Sequence, residues 1–390
     1  MNQKLFPFDK IKAGALSFSI LNELQPVNFL RRFFIRVLRK PILYLANKYA
    51  SDPDKARIYE ALTTLQANIR KEPGKKGLVI PFDVGNGRFI IFSDQHKGRG
   101  NGADDFLLSE PNYLAALEHY YARDFTFISL GDSEELWENN ILQVKHKNKA
   151  NFEVEKKFVA RQKLVKIFGN HDLYWANDPL ARWQLESIYG KKVDIYEGLI
   201  LRAEIKGKVL DIFCTHGHQG DAQSDGNWFS KFFVSNVWAP LQAYLKINPN
   251  TPAYDAEKKS LHNEIMYEWS SQQSNTLLIT GHTHQPVFTS LTHIERLYKQ
   301  YQFADHDNDQ IQLESLLAEI KKREKEFTKV SADYMSMKPY YFNSGCCCYI
   351  DGDITGIEID NGCIRLIKWT LVDGIPVRQL LEETELETLV

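Results

Sequence analysis

From residue 77 to about residue 290 the chain alternates short apolar runs with longer amphipathic stretches. The apolar runs end in Gly, Asp, Asn or His, a pattern typical of strands that are buried on both faces. These runs are "GLVIPF", "RFIIFSD", "FTFISLGD", "LVKIFGN", "LILRAEI", "VLDIFCTH" and "TLLITGHTH". Because helical stretches separate most of them, the pattern predicts an α/β core.

After residue 340 the pattern changes to alternating strands. The stretch "CCCYIDGDITGIEIDNGCIRLIKWTL" contains an Asp-Gly and an Asn-Gly pair, which are turn signals of β-hairpins. We expect the three consecutive cysteines at its start, residues 346–348, to lie in a buried strand and not to bind metal.

The remaining segments suggest how the chain is divided. Residues 1–75 have few glycines and predict a helical N-terminal extension, broken near Pro26, Pro41 and Pro53. Residues 76–390 would then form one domain with insertions at about 226–252 and 295–335. The first insertion is aromatic and apolar. The second contains "ESLLAEIKKREKEF" and predicts a solvated helix or a helical pair.

Composition and charge narrow the class of protein. The chain has 390 residues, of which 43% are hydrophobic and 25% charged, as in globular proteins. A net charge of -2 does not indicate nucleic-acid binding. Five cysteines without paired spacing favour a reducing compartment. The first ten residues do not resemble a secretory signal, so we expect a cytoplasmic protein.

One segment has a strong local charge. Residues 24–51 contain six basic residues and no acidic one, interleaved with apolar positions. Two interpretations remain open: a helix packed on the main domain with a solvated basic face, or a helix on an anionic membrane surface or acidic ligand. Under the second interpretation, residues 24–51 and the aromatic residues 226–248 would make peripheral membrane contact.

Side chains that can bind metal follow five of the apolar runs. The carboxyl ends of strands in an α/β sheet form one rim where ligands bind, so we expect these side chains to converge. Carboxylate, imidazole and amide oxygen together suit divalent ions of the Mn, Fe or Zn class. The residues are Asp94 and His96, Asp132, Asn170 and His171, His216 and His218, and His282 and His284.

The ordered motifs "DQH", "GDSEE", "GNHD", "THGH" and "GHTH" resemble those of the calcineurin-like metallophosphoesterase superfamily. The resemblance covers residues 77–290 and the closing strands. It implies two mixed β-sheets packed as a sandwich flanked by helices (αββα). It also implies a phosphoester hydrolase with two divalent metal ions, manganese among the candidates, in which a metal-activated hydroxide attacks phosphorus in line.

The resemblance further implies a role for each motif residue. His171 would face the phosphate and assist the leaving group, since a nearby carboxylate stabilises a protonated imidazole. Glu135, where the superfamily commonly has Asp, would orient it. "THGH" leaves two candidate ligands, His216 and His218, of which we favour His216. The metal ligands would be Asp94, His96 and His284 for the first ion, Asn170, His216 and His282 for the second, and Asp132 bridging both.

Residues beside these motifs carry less specific expectations. Gly169 and Asn170 are typical of a left-handed turn, and Asp172 would brace it. Glu134 is expected to be solvated or to lie in the first turn of a helix. Lys97 and Arg99 either bind a phosphate or lie in a surface loop.

Three alternatives remain for the function. An aromatic insertion next to the site and a basic N-terminal segment favour an amphiphilic phosphoester or a diphosphate. The Gly-Asn-His-Asp motif with His171 favours a phosphoprotein (Ser/Thr) phosphatase. The third alternative is a non-catalytic metal-binding scaffold with the same fold.

Overall fold

A computed structural model describes residues 53–101, 104–137, 139–220, 256–306, 310–323 and 337–390. Two mixed seven-stranded sheets pack face to face, and helices cover their outer faces. The predicted α/β sandwich is therefore confirmed. The predicted segments 24–51 and 226–252 lie outside the described residues, and the domain boundary near residue 75 stays a prediction.

The strands, in chain order, are β1 (Gly77–Pro81), β2 (Phe89–Phe92), β3 (Thr126–Leu130), β4 (Leu164–Ile167), β5 (Ile195–Tyr196), β6 (Gly198–Ile205), β7 (Lys208–Thr215), β8 (Thr276–Thr280), β9 (Val287–Phe288), β10 (Leu291–Thr292), β11 (Tyr341–Asn343), β12 (Ile354–Asp360), β13 (Cys363–Val372) and β14 (Ile375–Glu385). The first sheet has the order β1-β6-β7-β8-β11-β9-β10, and the second β14-β13-β12-β2-β3-β4-β5. Neighbours from β2 to β5 run parallel, as do β7 and β8.

The described helices are α1 (Lys55–Lys71), α2 (Glu110–Ala122), α3 (Ile141–Lys147), α4 (Lys149–Ala160), α5 (Tyr174–Asn177), α6 (Ala181–Tyr189), α7 (Ala256–Ser271), α8 (His293–His306) and α9 (Gln310–Arg323). Helix α1 begins where the Asp54 side chain accepts a hydrogen bond from the Arg57 backbone N–H at 3.1 Å. Its buried side chains recur at helical spacing, which places one apolar stripe on the first sheet; they are Ile58, Leu62, Leu65 and Ile69.

Three apolar layers hold the sandwich together. Between the sheets lie side chains of both inner faces, such as Ile91, Ile128 and Ile212, all without solvent exposure. Helices α1 and α7 pack outside the first sheet, and α2 and α4 pack outside the second. This packing fixes the relative position of the two sheets, and with it the loops at their shared rim.

The strands after residue 340 form the predicted hairpin. The β12–β13 turn is Asn361-Gly362, with φ of 50° and 76°, as a two-residue hairpin turn requires. The expectation of a cysteine-containing strand was wrong. Cys346–Cys348 form a loop after β11, because Gly345 has a φ of 74° and its N–H bonds to the Asn343 side chain at 2.9 Å.

Residues 293–323 contain two helices that pack on one another. Apolar side chains of α8 and α9 form a small core of their own, so one face of each helix is buried; its members are Ile294, Leu297, Ala304, Leu313, Leu316 and Ile320. The described part of the chain has no helix that is both long and apolar enough to cross a membrane.

Candidate metal centre

The loops after β2, β3, β4, β7 and β8 meet at one rim of the sandwich. Five candidate ligands there have a left-handed backbone, at an expected cost of about 1–3 kcal/mol each. Such strain persists only where the surrounding structure enforces it, and it is concentrated at functional sites. The residues are Asp94 (φ 53°), His96 (50°), Asp132 (49°), His282 (70°) and His284 (56°).

One group of side chains converges around Asp94. The Nε2 atom of His284 is 3.2 Å from Asp94 Oδ1 and 3.2 Å from His96 Nε2. His96 Nε2 is in turn 3.9 Å from the same Asp94 oxygen. Two ring nitrogens and one carboxylate oxygen therefore face a common point, which is the arrangement that a divalent cation accepts.

A second group converges around His216. Its Nε2 atom is 3.1 Å from Asp132 Oδ2 and 3.2 Å from Asn170 Oδ1. The Nδ1–H of His216 donates to the Leu130 carbonyl at 2.9 Å, which points Nε2 into the group. One ligand atom each of Asp132, His216 and His282 also lies within 4.8 Å of the other two.

Asp132 lies between the two groups. Its Oδ2 atom is 3.8 Å from His96 Nε2 on one side and 3.1 Å from His216 Nε2 on the other. The Nε2 atom of His282 is buried and has no hydrogen-bond partner among the described residues. A buried polar atom without a partner is unfavourable, and a bound cation would satisfy it. The residues present therefore fit two divalent ions that share one carboxylate.

His171 lies beside these groups and is held by a carboxylate and an indole. Its Nδ1–H donates to Glu135 Oε2 at 2.7 Å, so Glu135 reaches His171 despite being longer than Asp. The same Glu135 oxygen is 3.0 Å from His96 Nδ1. The ring of Trp137 stacks on His171 with centroids 4.3 Å apart. Glu135 thus orients both a candidate ligand and the candidate acid.

Opposite charges shift the protonation of these groups. Burial alone would lower the pKa of His216, but Asp132 and Asp94 raise it to about 9. Burial would also lower the pKa of His284, but Asp94 raises it to about 10. Burial would raise the pKa of Glu135, yet His171 lowers it to about 2. Protons therefore compete with a cation for these histidines, and metal binding would release them.

Of the two histidines in "THGH", only His216 has its nitrogen in one of the groups. Strand β7 ends at Thr215, and Gly217, with a φ of 109°, turns the chain between the two histidines. His218 Nδ1 is buried without a hydrogen-bond partner in the described structure. Burial, and then His216, lowers the pKa of His218 to about 3.

The loop 169–172 is shaped by close packing. Neither Gly169 nor Asn170 has a left-handed φ, so that expectation was wrong. A Cβ atom at Gly169 would lie 2.2 Å from Asp132 Oδ1, so a side chain there would displace Asp132. Asp172 braces the loop, as predicted, accepting from the N–H groups of Gly169 at 2.6 Å and Ser133 at 2.9 Å.

Two charged residues of the motif loops are buried, contrary to the sequence interpretation. Glu134 is fully buried, and its carboxylate lies 2.9 Å from Lys166 Nζ and 3.2 Å from Lys97 Nζ. Lys97 Nζ also lies 2.6 Å from Glu155. Lys97 is therefore not available to a phosphate, and Glu134 is neither solvated nor a helix first-turn charge.

The partners of Glu134 and Glu155 complete a buried network that sequence reasoning missed. Trp175 Nε1 donates to Glu134 at 2.7 Å, and the hydroxyls of Tyr113 and Tyr189 donate to Glu155 at 2.9 and 2.6 Å. One signal was available, because Lys166 interrupts the apolar run "LVKIF". A lysine in such a run is rarely buried unless it has a carboxylate partner.

Arg99, the other cation of the first loop, is exposed. It lines a surface cavity of about 460 Å³ together with Gln143, His146 and Lys147. Lys147 is paired with Glu110 at 2.8 Å. The cavity therefore has a basic lining, and part of its charge is neutralised.

The αββα sandwich carries two sets of buried histidine and aspartate side chains that share Asp132. These features place the chain among α/β proteins with a candidate dinuclear metal site. The family model of calcineurin-like phosphoesterases matches residues 87–286, more than half of the chain. The chain belongs to this family.

Solved structures similar to this chain include two of Vps29. A single mutant of Vps29 from Entamoeba histolytica is 12% identical and has a TM-score of 0.31, and the match covers 75% of this chain and 98% of that one. Vacuolar Protein Sorting 29 from Cryptosporidium parvum is 11% identical with a TM-score of 0.31, covering 77% and 98%. Similarity at this level of sequence identity and TM-score does not indicate the function of this chain. No curated protein matches it significantly.

Proposed function

We propose that this protein is a phosphoester hydrolase that uses two divalent metal ions. The observation that carries the proposal is the position of Asp132 between the two ligand groups, with its Oδ2 atom 3.8 Å from His96 Nε2 and 3.1 Å from His216 Nε2. A carboxylate between two such groups is the arrangement expected of a bridging ligand.

The proposed ligands divide into two sets around that bridge. Ions of the Mn, Fe or Zn class, when bound, would activate water near neutral pH and neutralise the charge on phosphate oxygens. The first set is Asp94, His96 and His284; the second is Asn170, His216 and His282; and Asp132 belongs to both.

His171 is the proposed acid for the leaving group. Its Nδ1–H is held by Glu135 at 2.7 Å, and Trp137 stacks on its ring, so the imidazole has one orientation. Its backbone N–H donates to Asp132 Oδ1 at 2.7 Å, which ties its position to the bridging carboxylate. A positioned imidazole of this kind can protonate an alkoxide as it leaves phosphorus.

The test of this role is His171→Ala. We expect kcat to fall by about 10²- to 10⁴-fold, since this is the usual contribution of a positioned acid. Metal content should stay at two ions per chain, because His171 is not a proposed ligand. His306→Ala, on helix α8, is the matched control and should keep wild-type activity. Equal turnover in His171→Ala and wild type would show that His171 is not the acid.

The substrate proposal rests on apolar side chains exposed on helices α3 and α6, which follow the motif loops 131–135 and 169–172 in the chain. Leu142 on α3 and Leu180 and Trp183 at α6 are 63%, 59% and 62% exposed. Lys145 Nζ donates to the Ser187 carbonyl at 3.1 Å and so joins the two helices. Exposed apolar side chains on the helices that follow these motif loops suit an amphiphilic phosphoester, and they would contact its apolar part.

A metal-supplemented screen separates the alternatives. It should include soluble mono- and diesters, nucleotides, phosphopeptides, and lipid phosphates and diphosphates, with binding to anionic vesicles measured in parallel. Preferred turnover of lipid substrates supports the amphiphilic class, and preferred turnover of phosphopeptides supports a Ser/Thr phosphatase. If the protein binds metal but turns over none of these substrates, the result supports a non-catalytic metal-binding scaffold instead of an enzyme.

A further inference from the structure

Glu134 is fully buried, and the partners of its carboxylate in the described structure do not include a proposed metal ligand. The hydroxyl of Ser133 donates to Oε1 at 3.0 Å, and Lys166 Nζ donates to the same atom at 2.9 Å. Lys97 Nζ lies 3.2 Å from Oε1, and the indole N–H of Trp175 donates to Oε2 at 2.7 Å. Hydrogen bonds to charged groups are about twice as strong as neutral ones, so this carboxylate holds its partners firmly.

The four donors to Glu134 share one property, because each lies in a segment that carries a proposed metal ligand or His171. They are Lys97, directly after His96; Ser133, directly after Asp132; Lys166, four residues before Asn170; and Trp175, four residues after His171. These segments form or follow β2, β3 and β4, which are neighbouring strands of the second sheet. Glu134 therefore joins the three ligand-bearing loops of that sheet through a single carboxylate.

The backbones of the loops after β2 and β3 are paired at the same place. The N–H of Lys97 donates to the Ser133 carbonyl at 3.1 Å, and the N–H of Glu135 donates to the Lys97 carbonyl at 3.2 Å. A shift of the segment around Lys97 would therefore also move Glu135. The Glu135 carboxylate accepts from His171 at 2.7 Å and lies 3.0 Å from His96 Nδ1, so its position decides how both rings are oriented.

We propose that Glu134 is a positioning residue of the hydrolase, which acts on the reaction through Glu135. The inference rests on the proposed function and adds a residue that touches neither substrate nor metal. Without the negative charge of Glu134, Lys97 and Lys166 lose the partner that they share, and the loops after β2 and β4 are held less firmly to the loop after β3. A misplacement of about 1 Å at a reacting group costs about 10²-fold in rate.

Glu155 is the second buried carboxylate of this network and provides the matched control. It lies 2.6 Å from Lys97 Nζ and accepts from the hydroxyls of Tyr113 and Tyr189 at 2.9 and 2.6 Å. Glu155 lies on α4 and the two tyrosines on α2 and α6, and none of these helices carries a proposed ligand. Loss of the charge at Glu155 should therefore lower stability while Glu134 still joins the three loops.

The experiment compares Glu134→Gln and Glu155→Gln in the full chain at saturating Mn²⁺, with p-nitrophenyl phosphate and bis(p-nitrophenyl) phosphate as substrates. Urea unfolding measures the stability of each variant, and we expect both variants to be less stable than the wild type. We expect kcat to fall by about 10- to 100-fold in Glu134→Gln only, because only this change displaces Glu135. The KM and the content of two metal ions per chain should stay unchanged in both variants.

A double variant separates positioning from general damage to the fold. If Glu134 acts through Glu135, Glu134→Gln combined with Glu135→Gln should have the same kcat as Glu135→Gln alone, because the two residues are coupled. Losses that multiply would mean that the two residues act independently and would overturn the inference. Trp175→Phe and Tyr189→Phe each remove one donor, from Glu134 and Glu155 respectively, and repeat the comparison if a glutamine variant does not fold.

The failure of this inference differs from the failure of the proposed function. Equal kcat in Glu134→Gln and wild type, or equal losses in Glu134→Gln and Glu155→Gln, would show that the network serves stability alone and would leave the proposed hydrolase intact. A wild type that binds Mn²⁺ but turns over neither these esters nor any substrate of the screen would instead remove the proposed function, and the inference with it.

Discussion

At the scale of single residues, the motifs predicted which side chains come together, while the structure supplies the contacts that hold them. Asp94, His96 and His284 converge as expected because each follows a strand end at the same rim. The role of Gly169 was not predictable, since it depends on Asp132, 37 positions earlier, whose oxygen would lie 2.2 Å from an added Cβ. Sequence spacing does not reveal a close approach between distant segments.

Glu135→Gln tests whether one carboxylate orients two histidines. The amide removes the negative charge that now accepts from His171 at 2.7 Å and from His96 at 3.0 Å. We expect kcat/KM and affinity for the first metal to fall by about 10- to 100-fold, as is usual when the partner of a ligating histidine is lost. Metal titration and steady-state kinetics measure both, with the exposed Glu186→Gln as control. Unchanged metal affinity would mean that Glu135 orients His171 but not His96.

His119 provides a pH dependence away from the metal centre. Burial, and then Arg123 and Arg378, lower its pKa below the usual 6.5. The unfolded chain therefore binds a proton at His119 more readily than the folded chain does. The stability that neutral His119 contributes is present above pH 6.5 and is lost as the pH falls below it. Urea unfolding on both sides of pH 6.5 should show a smaller loss at low pH in His119→Gln than in wild type. An NMR titration of His119 at or above 6.5 would contradict this.

At the scale of elements, the apolar runs predicted the strands, and the charged network beneath them was missed. Strands such as β2 and β8 were predictable because every position in them is apolar or small. Glu134 and Lys97 were misread because a buried charge depends on partners from α4 and β4 that no local pattern indicates. Burial would raise the pKa of Glu134, but Lys166 and Lys97 lower it to about 2, so it remains charged inside the protein.

Lys166→Met tests the contribution of this network. Removing one partner of a buried ion pair leaves an uncompensated charge, which costs about 3–5 kcal/mol. Lys192→Met breaks an exposed pair with Asp194 (3.1 Å) and should cost about 0–1 kcal/mol. Denaturant unfolding of both variants gives the comparison. Similar losses in the two variants would mean that the network around Glu134 does not stabilise the fold.

At the scale of the whole molecule, the proposed ligands come from both sheets. Asp94, Asp132 and Asn170 follow strands of the second sheet, whereas His216 and His282 follow strands of the first. Bound ions would therefore link the sheets of the sandwich. Neither the pairing of β12 with β2 nor the order of strands in each sheet follows from the pattern of apolar runs, because pairing joins segments far apart in the chain.

Metal removal should consequently destabilise the whole domain. A ligand that binds only the folded state adds about 2.7 kcal/mol at a concentration of 100 times Kd. Thermal unfolding with Mn²⁺ or Zn²⁺, and then with excess chelator, should show a lower Tm without metal. In Asp132→Asn, which alters the proposed bridge, the difference should shrink. A Tm that does not respond to chelation of metal-loaded protein would mean that the ions do not link the sheets.

The position of β2 between β3 and β12 also has a consequence for biosynthesis. Ile91 of β2 lies opposite Ile357 of β12, so the strand that leads to Asp94 and His96 gains one of its two neighbours only after some 260 further residues are translated. Until then the apolar edge of β2 is open to mispairing and aggregation. We therefore expect the nascent chain to need protection of this edge, and the proposed metal ions would bind only after the second sheet has closed.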